Sequence, residues 1–217
     1  MDPFRYQQFC PLARAAEILG HRWVILILRE LFVGPQRFSD LRRRLPGLSS
    51  SVLTDRLVGL EQHGVVGRRE LAPPAAATVY ELTDDGRALE PALLALTRWG
   101  TRHLTSPAPG DHVEPDWLGM AINAFARTGP SPARRFELRP YEGDREAVMR
   151  ICGGPDGTQW IRDDLPVEVS VRAPVPIIIQ MMRGVGSLET LLAADDVQVE
   201  GDVERLSDLP GLFEADF

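Results

Sequence analysis

RFSDLRRRLPGLSSSVLTDRLVGLEQHGVV, residues 37–66, decides how the first half of this chain folds. Pro46 and Gly47 divide it, because proline cannot donate to a helical ladder and glycine tolerates turn conformations. Before the break, FSDLRRRL at 38–45 reads as a helix with Ser39 as its N-cap and Phe38 stapling its first turn. After it, Ser49 reads as the N-cap of a second helix, Leu53, Leu57 and Leu60 share one face, and Gly64 supplies the stop.

The flanks complete the pattern. Upstream, PLARAAEIL at 11–19 reads as a helix stopped at Gly20, and another runs from Arg22 to about Phe32, ended by Gly34 and Pro35. Trp23, Ile27 and Leu31 lie on one face of that helix and Ile25, Leu26 and Leu28 widen it, so burial nearly all round is predicted. Downstream, VVGRREL at 65–71 and TVYEL at 78–82 read as strands joined by APPAAA, a hairpin tip. Thr83 then caps a helix with Asp84 and Asp85 in its first turn, predicted to continue to about Leu104. A helix-turn-helix followed by a hairpin is a winged-helix arrangement, mostly α.

Turning the second helix of the opening stretch so that its leucines face inward leaves Ser51, Val52, Asp55, Val58 and Gln62 on the outer side. Ser50, Ser51 and Thr54 keep its first turns small. Close approach to a major groove about 12 Å wide needs small groups at a helix start, and the free backbone N–H groups there favour a phosphate. Arg42, Arg43 and Arg44 on the preceding helix, Arg56, and Arg68 and Arg69 on the first wing strand concentrate positive charge on the same motif. Residues 29–69 hold eight Arg against four acids. Asp55 is the exception, repelled by phosphate unless it accepts from a cytosine amino group or orients Arg56.

The whole chain nevertheless carries a net charge of −7 over 217 residues. Residues 1–104 carry 14 Arg against 11 acids, net +3, while residues 105–217 carry 10 against 20, net −10. Such asymmetry fits two domains of different role and speaks against DNA contact by the second half. SPAPGDH at 106–112 is a natural linker. Beyond it the sequence predicts a helix at 115–126, strands near 134–139, 146–152, 158–162 and 167–173, and helices near 176–183 and 187–194, an α+β domain.

Enzymatic readings find no support. His21, His63, His103 and His112 lack metal-ligand spacing, and there is no glycine-rich phosphate loop or nucleophile elbow, so no cofactor, metal or catalytic role is expected. Cys10 and Cys152 are too few for a disulfide framework. The apolar run VILIL at 24–28 is far too short to span a bilayer, and a cytoplasmic protein without membrane contact is expected.

CPLARAAEILGHRWVILILREL, the opening stretch, and YELTDDGRALEPALLALTRWG together resemble the HxlR-type transcriptional regulators, winged-helix proteins related to the MarR type, over residues 9–103. The resemblance implies a homodimer joined through the first and last helices of the domain, reading a pseudo-palindromic operator, with a repressor role expected. Matched residue by residue, it implies groove contacts from Ser51, Val52, Asp55 and Arg56 and backbone contacts from Arg43 and the wing. Ser51 stands where relatives often have a basic residue, and Ala77 where an Arg is common, which predicts weak wing contact. With the residues read above, the expected DNA-binding set is Ser39, Arg42, Arg43, Ser49, Ser50, Ser51, Val52, Thr54, Asp55, Arg56, Arg68 and Arg69. Some relatives sense oxidants through a cysteine matching Cys10 in its Cys-Pro pair; a packing role for this thiol stays open beside sensing.

Residues 167–213 are similar to the closing half of sterol-carrier-protein-2-like domains: a strand, a helix, a short helix, a strand ending in Gly201 and Asp202, and a last helix. That resemblance implies an apolar tunnel for a lipid-like effector. Trp117, Met120, Phe125, Phe136, Met149, Trp160, Ile178, Met181 and Met182 are candidate lining residues. Two readings of this half stay open, an effector site and a dimerisation or spacing module. For the chain as a whole, the alternative to a DNA-binding regulator is a small-molecule carrier whose winged helix serves protein association.

Overall fold

The computed structural model describes residues 5–72, 76–104, 110–161 and 163–214. Residues 73–75 of the expected hairpin tip and 106–109 of the expected linker lie outside these. The chain divides into two compact units, Met1–Leu93 and Leu94–Phe217.

The first unit contains α1 (Pro11–Leu19), α2 (Val24–Val33), β1 (Gln36–Arg37), α3 (Phe38–Arg44), α4 (Ser50–Gln62), β2 (Val66–Glu70), β3 (Thr78–Leu82) and α5 (Asp84–Arg87). The strands form an antiparallel sheet of order β1-β3-β2, in which Val66 faces Leu82 and Arg68 faces Tyr80. Its core is the one the leucine spacing predicts: Leu53, Leu57 and Leu60 of α4 are buried with Ile27, Leu28, Leu31, Leu41 and Leu45.

Both ends of α4 follow from local chemistry. Ser49 accepts from the Val52 amide at 3.3 Å, which satisfies one of the unpaired donors of the first turn. At the other end Gly64 takes φ +72, and the Val65 and Gly64 amides donate back to the Leu60 and Glu61 carbonyls. That pairing is a Schellman cap, which a side chain at 64 would strain.

Four expectations for this half are corrected. Ser39 is not the N-cap of α3: it lies inside the helix, which starts at Phe38 with Arg37 at the cap position and no side-chain bond. The cause is β1, unseen in the sequence, which holds Gln36 and Arg37 extended against Tyr80 and Val79 right up to the helix. Second, the helix after Thr83 is two helices, α5 and α6 (Glu90–Thr101). Pro91 has no N–H to donate back to Arg87, so the ladder stops and restarts. Third, α2 begins at Val24 because Trp23 adopts φ +80. Fourth, α2 is not covered all round, for Ile25 and Leu26 remain 42% and 38% exposed.

The boundary between the units falls within α6, whose Leu94 packs on the core of the second unit. That unit continues with a 3-10 turn at Pro115–Trp117, then α7 (Leu118–Phe125), β4 (Arg135–Glu142), β5 (Arg145–Glu146), β6 (Met149–Cys152), β7 (Gln159–Ile161), β8 (Val169–Pro174), α8 (Val175–Arg183), α9 (Leu188–Leu192) and β9 (Gln198–Gly201). It closes with a 3-10 helix, Val203–Leu212, where an ordinary last helix was expected. Pro210 inside it removes a ladder donor.

The sheet order is β7-β6-β4-β8-β9, with β5 beside β4, and β4 runs parallel to β8 while the other pairs are antiparallel. The second unit is therefore α+β. Strand alternation divides its two faces: Phe136, Leu138, Val169, Val171, Met149 and Ile151 enter the core, and the intervening residues form a charged face. On that face Glu137 accepts from Arg150 Nε at 2.8 Å and from Ser170 Oγ at 3.0 Å. Glu146 accepts from both Arg139 and Arg172, and these two guanidiniums hold its carboxyl below the usual carboxylate range. Among the described residues no helix is long and apolar enough to cross a membrane.

Candidate nucleic-acid interface

The turn between α3 and α4 is built on Gly47, whose φ of +85 suits glycine, and the Trp23 ring lies against it. A Cβ at position 47 would stand 3.7 Å from that ring, so Trp23 fills the space beneath the turn. The Arg22 guanidinium lies 5.3 Å from the Trp23 ring centroid.

Beneath the two helices sits a group that the sequence reading missed. Glu30 on α2 is fully buried, and its carboxylate accepts from Arg44 Nε at 2.5 Å and Arg29 Nη2 at 2.7 Å. Arg44 is thus the buried member of the RRR run, fastening α3 to α2 rather than facing solvent. A signal existed: Glu30 interrupts the apolar run of α2 between Leu28 and Leu31, and a carboxylate there must find a cationic partner to be buried at all.

The hydroxyls at the start of α4 are engaged in holding its first turns. Ser49 bonds the Val52 amide and lies 3.2 Å from Ser51 Oγ. Ser50 Oγ accepts from Arg42 Nη1 at 2.6 Å, and Thr54 Oγ1 donates to the Ser50 carbonyl at 3.0 Å. Arg42 thereby braces α3 against the start of α4. Ser49, Ser50, Ser51, Thr54 and Asp55 are exposed, as are Ser39 and Arg43 on α3. Val52 and Arg56 are half-buried, and the Arg56 Nε is buried with no hydrogen-bond partner among the described residues.

Pairing reshapes the charge counted in the sequence. Arg68 is bonded to Glu61 across 2.6 Å, a contact that raises its pKa further, and its guanidinium lies 5.2 Å from the Tyr80 ring centroid. Arg69 pairs with Glu81 at 3.0 Å, and Arg43 stands 3.6 Å from Asp40. The two wing arginines are therefore exposed but partnered by carboxylates, while the Arg42 guanidinium, among the described residues, is held by a serine hydroxyl.

Of the nine expected lining residues in the second unit, Phe125, Phe136, Met149, Ile178, Met181 and Met182 are buried in one core, with Trp160 packed against it. Trp117 and Met120 are half-buried outside that cluster, and Trp117 meets His112 edge-on at 5.6 Å. Cys10 is exposed, precedes α1 and makes no side-chain cap, and both cysteines are free.

Comparison with known proteins places the first unit. The family model described as HxlR-like helix-turn-helix matches residues 18–107. The chain is 43% identical over 95 residues to the uncharacterised HTH-type transcriptional regulator YvaP of Bacillus subtilis, an alignment covering 43% of this chain and 88% of that protein. It is 39% identical over 101 residues to the regulator sll1512 of Synechocystis, covering 46% and 75%. With the HTH-type transcriptional regulator YodB of Bacillus subtilis it shares 34% identity over 105 residues, covering 48% and 91%. Each of these three likenesses spans three quarters or more of the relative and less than half of this chain. With its helix pair, the braced start of α4 and the β2–β3 pair in place, the chain belongs to the HxlR-like helix-turn-helix family of transcriptional regulators.

Proposed function

We propose that this protein is a homodimeric, sequence-specific binder of double-stranded DNA that represses transcription by occupying a pseudo-palindromic operator. The observation that carries the reading is the start of α4, where exposed small side chains are held by Ser49, Arg42 and the buried Glu30–Arg44 pair in a form that fits a major groove. Ser50, Ser51, Val52, Thr54, Asp55 and Arg56 supply groove contacts, and Ser39, Arg42, Arg43, Ser49, Arg68 and Arg69 supply contacts to the phosphates. Because Arg68 and Arg69 are already paired, the wing contributes less than their number implies.

Dimerisation is supported by apolar side chains that a single copy leaves in water. Phe9 precedes α1, Leu12 lies in its first turn, and Leu96 and Trp99 lie on α6, with Leu12 77% and Trp99 59% exposed. Covering such groups with a second copy is the ordinary solution for a family that reads two half-sites.

We read the second unit as the effector domain, taking an apolar small molecule. The order β8, α8, α9, β9 and closing 3-10 helix supports this, as do adjacent Met181 and Met182, whose thioethers repack around varied shapes. Coupling to DNA affinity on the order of 1–3 kcal/mol suffices for a switch.

The test is fluorescence anisotropy of the DNA upstream of this protein's own gene, titrated with protein between about 50 and 200 mM salt, where log affinity should fall linearly with log salt. Binding that ignores salt, or none, overturns the DNA reading. An organic extract of the source cells that weakens binding supports the effector reading, and indifference to it counts against that reading alone.

A further inference from the structure

We propose that Asp55 sets the sequence preference of α4 by accepting a hydrogen bond from the N4 amino group of a cytosine in the major groove. The inference rests on the DNA-binding reading above and names what the recognition helix reads.

The exposed stripe of α4, opposite its buried leucines, is Ser51, Thr54, Asp55, Val58 and Gln62. Asp55 is its one charged member. The hydroxyls beside it are engaged within the helix: Ser51 lies 3.2 Å from Ser49 Oγ, and Thr54 donates to its own backbone. Carboxylates elsewhere on α3, α4 and β3 are engaged too. Glu61 is held by Arg68, Glu81 by Arg69 and Asp40 stands beside Arg43. Asp55 makes no hydrogen bond or ion pair among the described residues, and the adjacent Arg56 leaves its Nε unpartnered rather than turning it to Asp55.

An unpaired carboxylate on a surface that approaches phosphates weakens binding to DNA in general. It earns a place there only by meeting a donor. The major groove offers two on base edges, cytosine N4 and adenine N6. Adenine N6 lies between two acceptors, its own N7 and thymine O4, so a carboxylate approaching it is repelled on both sides. Cytosine N4 has an acceptor, guanine O6, on one side and a carbon-bound hydrogen on the other. The chemistry therefore favours cytosine.

The experiment is binding-site selection from a randomised duplex library with the purified full-length protein and its Asp55→Ala and Asp55→Asn variants, at one fixed salt concentration. The expected wild-type motif contains, in each half-site, one C·G column preferred by about tenfold or more, within the range of one good base contact. Asp55→Ala flattens that column alone and binds random-sequence DNA more tightly than the parent, because repulsion is removed. Asp55→Asn moves the same column towards A·T, since an amide presents the donor and acceptor that match adenine N7 and N6. A wild-type motif without such a column, or one that neither substitution alters, overturns this inference and leaves the DNA-binding reading standing. If the wild-type protein enriches no sequence and its binding ignores salt, both fall together.

Discussion

Replacing Glu30 by alanine should cost the first unit more than any single change among the arginines it holds. Its carboxylate is fully buried and accepts from Arg44, itself only 7% exposed, and from Arg29. Removing it leaves the Arg44 guanidinium without that countercharge and opens a void, and breaking a buried pair from one side costs about 3–5 kcal/mol. A domain's whole stability is about 5–15 kcal/mol, so the unit would be close to melting at 37 °C. Arg44→Ala removes a cation but leaves Glu30 with Arg29, for a smaller loss of about 1–3 kcal/mol. Glu30→Met with Arg44→Met, which replaces the pair by apolar volume, should recover much of the deficit. The assay is urea unfolding of the full chain with hydrogen exchange of peptides from α2, α3 and α4 as the local readout. Loss of protection in all three in Glu30→Ala, less in Arg44→Ala and least in the double variant is the expected order. Equal costs for the two single variants, or a Glu30→Ala cost under about 1 kcal/mol, would refute the claim that this carboxylate anchors the helix pair.

Arg42→Ala should reduce the slope of log affinity against log salt by about one, while Arg68→Ala, already partnered by Glu61, should change it less; equal changes would show that internal pairing does not set the phosphate contacts. Gly119→Ala places a Cβ 2.5 Å from the Trp160 ring and should destabilise the second unit by about 1–3 kcal/mol. Gly59→Ala, in open space within α4, should stabilise by about 0.5–1 kcal/mol, and urea midpoints distinguish the two signs. Glu146, whose carboxyl is depressed by Arg172 and Arg139, contributes stability that is fully present above its unfolded value of 4.5 and is lost as pH falls through the lower folded value. The pair is partly solvated, so the effect is at most about 1 kcal/mol, and Glu146→Gln should flatten that part of an acid titration followed by circular dichroism.

Leucine spacing, caps and glycine stops were enough to delimit α1, α4 and the two wing strands, because these features act within a few residues of one another. α4 shows it best: Ser49 and Gly64 enclose it, and both signals are local hydrogen-bonding rules. The alternation in β4 and β8 likewise follows from the two-residue period of a sheet with one covered face. β1 escaped because a two-residue strand has no periodicity, and it exists only through Tyr80 and Val79, more than forty residues away in sequence. Ser39 lost its cap role to the same long-range pairing.

The candidate interface divides along the same line. From residue types alone, the chain determined that a helix with a small, polar start follows a short turn in an arginine-rich segment, and that acidic charge is concentrated in the second half. Tertiary structure decided which of those charges remain available. Arg44 is consumed inside by Glu30, Arg68 and Arg69 by carboxylates reached through the sheet and the end of α4, and Asp55 is left facing outward without a partner. Secondary structure is written in near neighbours and can be read there, whereas the pairing of charges depends on which distant side chains the fold brings within about 4 Å, and no pattern along the chain contains that distance.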